Sequence, residues 1–424
     1  MKTLETINKL LDTVEKVTSF KKCPRYDRHG KEIPPSSGSL EELIESGETN
    51  FFQLADAAED KGKYFFLLGK MYNCCIKFRT KALDALCKAV KLDPDAIEAW
   101  NELGECYWYH VNIEMAKQCF ERALAKSENK ISLRNLSVVV RKQGLSMPTD
   151  AEKHKCFEDA ADFAKRSVKL DPTDGVSWSI LGNAYLALFF GVSSEYQLAL
   201  QAIAAYKQAE KNLEVIDNFE IFYNKGIVLK YIEHYSDALD TLLKTIESEK
   251  TWDLSFNTYN TLLQYLDLIM SYIGHKGRLK PKKFYAMLKG LNTVRVGPYS
   301  NFKLIFINNL VDGVNKNCVL FGKVLWSVQM DCSFPFTFGL VDANGDEVVI
   351  TVFNLSIAHR FFIIGDSVAI PNPWFEKVDS VHKDKCYKFR KVRVENPKEL
   401  IVNDKHLPES CYAKVKFDTL PMQF

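Results

Sequence analysis

WNELGECYW, residues 100–108, sets Trp100, Leu103, Gly104 and Tyr107 at intervals that put all four on neighbouring faces of one helix. The same spacing returns at Phe65, Leu68, Gly69 and Tyr72, and again at Trp178, Leu181, Gly182 and Tyr185. A weaker copy runs through Phe222, Gly226 and Leu229. A second set of positions follows each motif: Ala116, Phe120 and Ala123; Ala202, Tyr206 and Ala209; Ala238 and Leu242. Small residues placed opposite large ones are what two closely packed helices need, so each copy predicts a helical hairpin.

The spacing of about 34 residues is that of tetratricopeptide repeats, which stack into a curved solenoid with a concave binding face. LDP recurs at residues 92–94 and 170–172, where proline is expected to stop the second helix of a hairpin. The interval from Trp100 to Trp178 is too long for two regular periods. An irregular hairpin is therefore expected between them, with residues 131–144 as its first helix and 151–172 as its second. An insertion of about eight residues separates Trp178 from its second helix. Near the N-terminus, Leu4, Ile7, Leu10, Leu11, Val14 and Val17 form a helical stripe rather than a signal peptide. Ser39 and Glu42 are spaced as a capping box for a second helix, with residues 26–39 as the connecting loop.

After about residue 298 the period changes to that of strands. Residues 317–328, the two arms of 334–353 around Asn344-Gly345, 365–375 and 385–396 each read as a strand. Pro371 and Pro373 are expected to end the fourth. In the fifth, Tyr387 and Phe389 share one parity while Val392 and Val394 take the other, which predicts a bulge near Lys391. Residues 356–366 read as a short helix. About five curled strands with a helix between the third and fourth fit a small barrel of OB-fold type, and fall short of the seven of an Ig-like sandwich. The expected fold class is thus α+β in separate domains. Residues 1–60 form a helical cap, 61–275 a tetratricopeptide-repeat solenoid, 276–295 a basic linker with a short helix, and 296–424 the OB-fold-like domain.

The chain has a net charge of +2 and is 46% hydrophobic, so any charged partner surface must be local. Its 11 cysteines form no Cys-x-x-Cys pair and read as reduced thiols of a cytosolic or nuclear protein. No phosphate loop, dinucleotide fingerprint, zinc-protease helix or nucleophile elbow occurs in the sequence. The expectation is a protein that is not an enzyme and uses no cofactor or metal. Two basic features stand out. The first is Lys276, Arg278, Lys280, Lys282 and Lys283, either a solvated linker or a contact to the phosphates of a ribosome or other RNA. The second is Lys388, Arg390, Lys391 and Arg393 around Tyr387 and Phe389, either a plain amphipathic strand or a nucleic-acid face carried by Lys388, Arg390 and Arg393. Arg141, following NLSVVV on a first helix, is either a salt-bridge partner within the solenoid or an anchor for a ligand carboxylate.

KAVKLDPDAIEAWNELGECYW, NKISLRNLSVVVR, SWSILGNAYLALFF, FPFTFGLVDANG and IGDSVAIPNP together resemble the tetratricopeptide repeat protein 5 family, also called Strap, over nearly the whole chain. The resemblance implies an adaptor that recognises the N-terminal peptide of nascent tubulin at the ribosome and brings in mRNA-decay adaptor proteins, so that tubulin regulates its own message. It also implies a nuclear stress-response role as a scaffold for a histone acetyltransferase coactivator, with the OB fold binding DNA or protein. Localisation would then be cytoplasmic and nuclear. By the resemblance, Arg141 lines the peptide groove and takes an acidic side chain, while Glu220 stands where the family has an Asp that takes a basic one. A third groove carboxylate is matched only by Asp253 beside Trp252, because Leu254 holds the corresponding place. Arg278, Lys280, Lys282 and Lys283 correspond to the ribosome-touching segment.

Overall fold

Small residues at the hairpin contacts let helices approach closely. A Cβ added at Gly104 would lie 2.5 Å from the Phe120 ring, so no other residue fits without displacing that ring. The computed structural model describes residues 2–22, 25–26, 32–33, 37–193, 195–212, 215, 218–250, 252–275, 279–291, 293–328, 330, 334–355 and 362–412. The described residues gather into two compact units, one within 1–221 with 247–250, the other within 222–246 with 252–412.

The first unit opens with α1 (Lys2–Lys22) and α2 (Ser37–Leu54), joined through the two-residue strands β1 (Arg25–Tyr26) and β2 (Glu32–Ile33). Helix α2 begins at Ser37, so Ser39 lies within it and is not its N-cap. The hairpins follow as α3 (Lys61–Tyr72) with α4 (Arg79–Leu92), α5 (Ile97–Tyr109) with α6 (Ile113–Lys126), α7 (Lys130–Leu145) with α8 (Asp150–Leu170), and α9 (Gly175–Leu188) with α10 (Tyr196–Ala209). Side-chain oxygens of Asp60, Asn112, Asn129, Thr149 and Asp174 accept from backbone N–H groups at the starts of α3, α6, α7, α8 and α9. At both LDP sites the proline carbonyl accepts from the indole N–H of the following tryptophan, Pro94 from Trp100 at 2.9 Å and Pro172 from Trp178 at 2.8 Å. The irregular hairpin is α7–α8, and the insertion after α9 is a π-helical turn over Phe189–Ser193. Residues 175–192 are apolar enough to cross a membrane by composition alone, yet Ile180, Leu181, Ala184, Leu186 and Phe189 are buried in this unit.

The second unit holds most of α11 (Phe219–Tyr231), α12 (Tyr235–Ser248), α13 (Asp253–Tyr272), α14 (Pro281–Lys289) and a ten-stranded sheet. Its main strands are β5 (Cys318–Val328), β6 (Phe336–Val341), β7 (Glu347–Val352), β8 (Ser367–Pro371), β9 (Trp374–His382) and β10 (Lys385–Val394). Short segments β3 (Lys303–Ile305), β4 (Gly313–Val314), β11 (Ile401–Val402) and β12 (Lys405–His406) extend it. The sheet order β8-β5-β6-β7-β10-β9 begins and ends on consecutive strands. β8 ends at Pro371, as expected, and Pro371, Asn372 and Pro373 form a corner between it and β9, with Asn372 at φ 45°. The chain turns there from pairing with β5 to pairing with β10, which closes the barrel. β9 was illegible as a separate strand because its first residues read as the tail of β8. The 356–361 part of the expected short helix lies outside the described residues.

No bulge interrupts β10 near Lys391; it pairs with β9 without a slip from Lys385 to Arg393. The parity changes because the strand serves two faces. Val392 and Val394 join Phe375 in the barrel core, whereas Tyr387, Phe389, Lys391 and Arg393 face the other way and are buried too. α11–α13 cover that second face. Tyr235 on α12 stacks near Phe389, Asp267 on α13 accepts from Tyr387, and Glu233 of the α11–α12 turn pairs with Lys391 and Arg393. The register shift in the barrel falls instead in β5, between Val324 and Trp326.

Val111 and Glu233 occupy equivalent hairpin turns with φ near 60°, the left-handed region that favours glycine. Val111 is 80% exposed, whereas Glu233 is only 5% exposed. Val111→Gly should raise stability by about 1 kcal/mol by relieving this strain. Glu233→Gly relieves the same strain but strands two buried cations, and should lower stability by about 3 kcal/mol. Urea unfolding of the two variants checks the opposite signs.

Candidate functional site

Helix α7 starts at Asn129, whose side chain accepts from the Ser132 N–H at 2.8 Å. Three turns on, Arg141 follows Ser137 by four residues and so shares its face. Ser137 is wholly buried, and its hydroxyl has no partner among the described residues. Arg141 is half-buried, with Nη1 shielded from water and likewise without a hydrogen-bond partner. Burial pulls its guanidinium down to about 10, with Tyr206 on α10 acting in the opposite direction. Tyr206 is itself fixed, donating to Asn183 Oδ1 at 2.6 Å. Of the two readings of Arg141, the salt bridge is not made among the described residues. An uncompensated, desolvated cation is what a carboxylate ligand would satisfy.

The first helices of successive hairpins are stitched together by polar side chains. Asn73, at the C-terminal cap of α3, donates to Glu102 on α5 at 2.8 Å, and Asn135 on α7 donates to Glu105 on α5 at 3.3 Å. The Ser132 hydroxyl donates to Asn101 Oδ1 at 2.7 Å, and Arg134 reaches Asp174 at 3.0 Å. This ladder went unread in the sequence; asparagines recurring on helices otherwise built of apolar and small residues were its signal. Glu220, in the first turn of α11, is half-buried, and burial raises its carboxyl above the usual range. Arg141 and Glu220 both belong to the first unit, and no hydrogen bond or ion pair among the described residues joins them.

Asp253 belongs to the second unit, exposed in the first turn of α13, where a carboxylate complements the helix dipole. Trp252 beside it packs on Tyr223 with ring centroids 4.6 Å apart, and Leu254 is half-buried. Lys280 caps α14, and Lys282 and Lys283 stand exposed on its first turn. The helix docks through buried Phe284 and Met287, so these lysines face solvent, with no ion pair among the described residues. Arg278 lies outside the described residues.

Of the candidate nucleic-acid residues on β10, Arg393 is buried, while Lys388 is exposed and Arg390 half-buried. Arg393 is 4% exposed; its Nη1 donates to Glu233 at 2.9 Å and to the Tyr231 carbonyl at 3.0 Å, and its Nε donates to Glu395 at 3.0 Å. Its guanidinium lies 3.8 Å from the Phe353 ring. Alternation of basic and aromatic residues mimicked a binding strand, but the aromatics and alternate cations are spent on α11–α13. Lys388 and Arg390 point to the other face, where Lys388 pairs with Asp379 at 2.9 Å.

No group of His, Cys, Asp and Glu residues that could hold a metal occurs among the described residues. Among the described cysteines, burial pushes the Cys106 and Cys119 thiols up to about 12, which disfavours the nucleophilic thiolate.

Stacked helical hairpins with a polar face on their first helices, in a chain that also carries a closed small barrel, define a tetratricopeptide-repeat adaptor with an OB fold. The family model for the tetratricopeptide repeat protein 5 OB fold domain matches residues 301–416. Tetratricopeptide repeat protein 5 of Homo sapiens is 34% identical over 96% of this chain and 95% of its own length. That of Bos taurus is 34% identical over 98% and 97%. The chain belongs to the tetratricopeptide repeat protein 5 family. A thermophilic repeat protein of Thermus thermophilus is 17% identical over 48% of this chain and 99% of its own, with a TM-score of 0.39.

Burial alone would raise the Glu233 carboxyl, but Lys391 and then Arg393 outweigh it and hold it at about 2 against an ordinary 4.5. The pair's stabilisation is therefore complete above pH 4.5 and is lost as pH falls towards 2. Amides of β10 should lose hydrogen-exchange protection over that window, and a Glu233→Gln chain, already less protected, should show a flatter pH dependence.

Proposed function

We propose that this chain is an adaptor that reads the N-terminal peptide of nascent tubulin at the ribosome and promotes decay of tubulin mRNA through mRNA-decay adaptor proteins. The observation that carries this reading is Arg141, a desolvated guanidinium whose Nη1 has no partner among the described residues. The peptide's acidic side chain supplies the missing anion. Glu220, whose burial disfavours its charge, gains from a basic side chain of the same peptide. The family membership is what names tubulin; the two half-buried opposite charges fit a short peptide carrying both signs.

Ribosome contact is assigned to α14 and the segment before it, through Arg278, Lys280, Lys282 and Lys283. A helix anchored by Phe284 and Met287 holds its lysines outward at little further entropic cost when they meet phosphates. The second reading, a nuclear scaffold for a histone acetyltransferase coactivator, keeps the barrel as its interface. The burial of Arg393 weighs against a DNA contact through that side chain.

Calorimetric titration of the purified chain with a peptide beginning Met-Arg-Glu-Ile, against a scrambled control, tests the groove. Arg141→Ala should weaken binding at least tenfold while leaving the circular dichroism spectrum unchanged; full affinity in that variant would refute the reading. The Glu220 carboxyl must be ionised to hold the basic side chain, so affinity should fall as pH drops from 7 to 5. Glu220→Gln should bind more weakly at pH 7 and lose most of that pH dependence. Lys280→Glu with Lys282→Glu should abolish co-sedimentation with ribosomes at moderate salt without altering peptide affinity.

A further inference from the structure

The β9–β10 hairpin carries a second charged arrangement, on the face opposite the one α11–α13 cover. Phe375 and Val392 pair across the two strands and lie in the barrel core. Moving outward by two residues on each strand keeps the same face and brings Lys377 opposite Arg390, and two further brings Asp379 opposite Lys388. Like charges directly opposite on a sheet repel unless something lies between or beside them. Asp379 neutralises Lys388 at 2.9 Å, whereas the inner pair makes no ion pair among the described residues. Lys377 is exposed and has no acidic partner among the described residues. Arg390 donates to neutral oxygens, Asn308 Oδ1 at 2.6 Å and the Glu347 carbonyl at 3.1 Å. The Glu347 carboxylate, which accepts from the Trp326 indole and the Gly274 N–H, keeps its charge beside Arg390, so Lys377 is the cation of the pair left with no acidic partner among the described residues.

Lys377 and Arg390, with Lys388, stand at a cleft of about 550 Å³ that Glu347 and Asp379 also line, beside the apolar Val348 and Val378. We propose that this cleft is a docking site for an acidic peptide segment of a partner protein, which seats one apolar side chain in the cleft and places a neighbouring carboxylate between Lys377 and Arg390. The volume suits a side chain of leucine or phenylalanine size with its flanking backbone. Paired cations beside an apolar pocket match an acidic-apolar sequence. A nucleic acid would need an accessible aromatic platform for its bases, and Phe389, the one aromatic residue lining the cleft, is 7% exposed. The site is separate from the groove of Arg141 and does not depend on the tubulin reading.

Fluorescence anisotropy on the full chain tests this with two labelled probes, the peptide Glu-Asp-Leu-Phe-Asp-Glu and single-stranded oligo-dT of 20 nucleotides. The peptide should bind in a salt-dependent manner, and its affinity should fall at least tenfold in Lys377→Glu. Arg390→Ala should weaken it similarly, and Arg390→Lys less. Because Lys377 is exposed and makes no internal ion pair among the described residues, Lys377→Glu is expected to keep the fold, as thermal unfolding would confirm. Absence of peptide binding, or binding indifferent to Lys377→Glu, overturns the proposal. So does tighter binding of the oligonucleotide that Lys377→Glu abolishes, which would make the cleft a nucleic-acid site instead.

Discussion

Glu233 lies almost without water between Lys391 and Arg393, and the second unit is organised around that contact. Bringing three charges out of water is costly, and the cost is offset only when each is paired and hydrogen-bonded. Here Glu376 adds a second carboxylate to Lys391 at 2.9 Å, and Glu395 a second to Arg393 at 3.0 Å. Tyr235 donates to Glu233 Oε1 at 3.2 Å, and Tyr231 supplies both its carbonyl and its ring to Arg393. The glutamate accepts a left-handed backbone to reach this position. Such a cluster tolerates little sliding, so it fixes the register of the α11–α12 turn against β10 as well as adding stability.

Around that point the covering of the barrel follows. His382, at the end of β9, is buried between Asp240 of α12 and Tyr259 of α13, each at 2.8 Å. The Ser236 hydroxyl donates to the Val381 carbonyl, and Lys385 pairs with Asp267. Tyr272 stacks on Trp326 with ring centroids 5.2 Å apart. Polar and aromatic contacts alternate along this surface, which gives it specificity of register that a purely apolar contact would lack. One consequence is functional: the strand face that carries Tyr387, Phe389, Lys391 and Arg393 is internal, and only the opposite face of the hairpin is left for partners.

In the first unit the constraint is steric. Gly69, Gly104 and Gly182 each lie against a large second-helix side chain, Leu86, Phe120 and Tyr206, so the motif spacing in the sequence is a direct image of the packing. That is why the hairpins, including the irregular α7–α8 pair, were legible to within a residue or two. Arg141 was legible as a candidate because it breaks an apolar run on a first helix. Its lack of a partner was not legible, since a salt bridge depends on which helices become neighbours. The asparagine ladder was missed for the same reason: each member meets a partner about 30 residues away in sequence, and no local period announces it.

The amino-acid sequence by itself determined the repeat period, the change from helix to strand near residue 298, the Asn344-Gly345 turn and the basic character of the segment before α14. These follow from local rules of side-chain size, turn geometry and periodicity, which act over a few residues. Only the tertiary structure decided which side of β10 meets solvent. A strand's pattern records that both parities are occupied, but not by what, and charged residues read as exposed unless their counter-charges are known. Glu233 stands about 160 residues before Arg393, and that distance is bridged by packing alone.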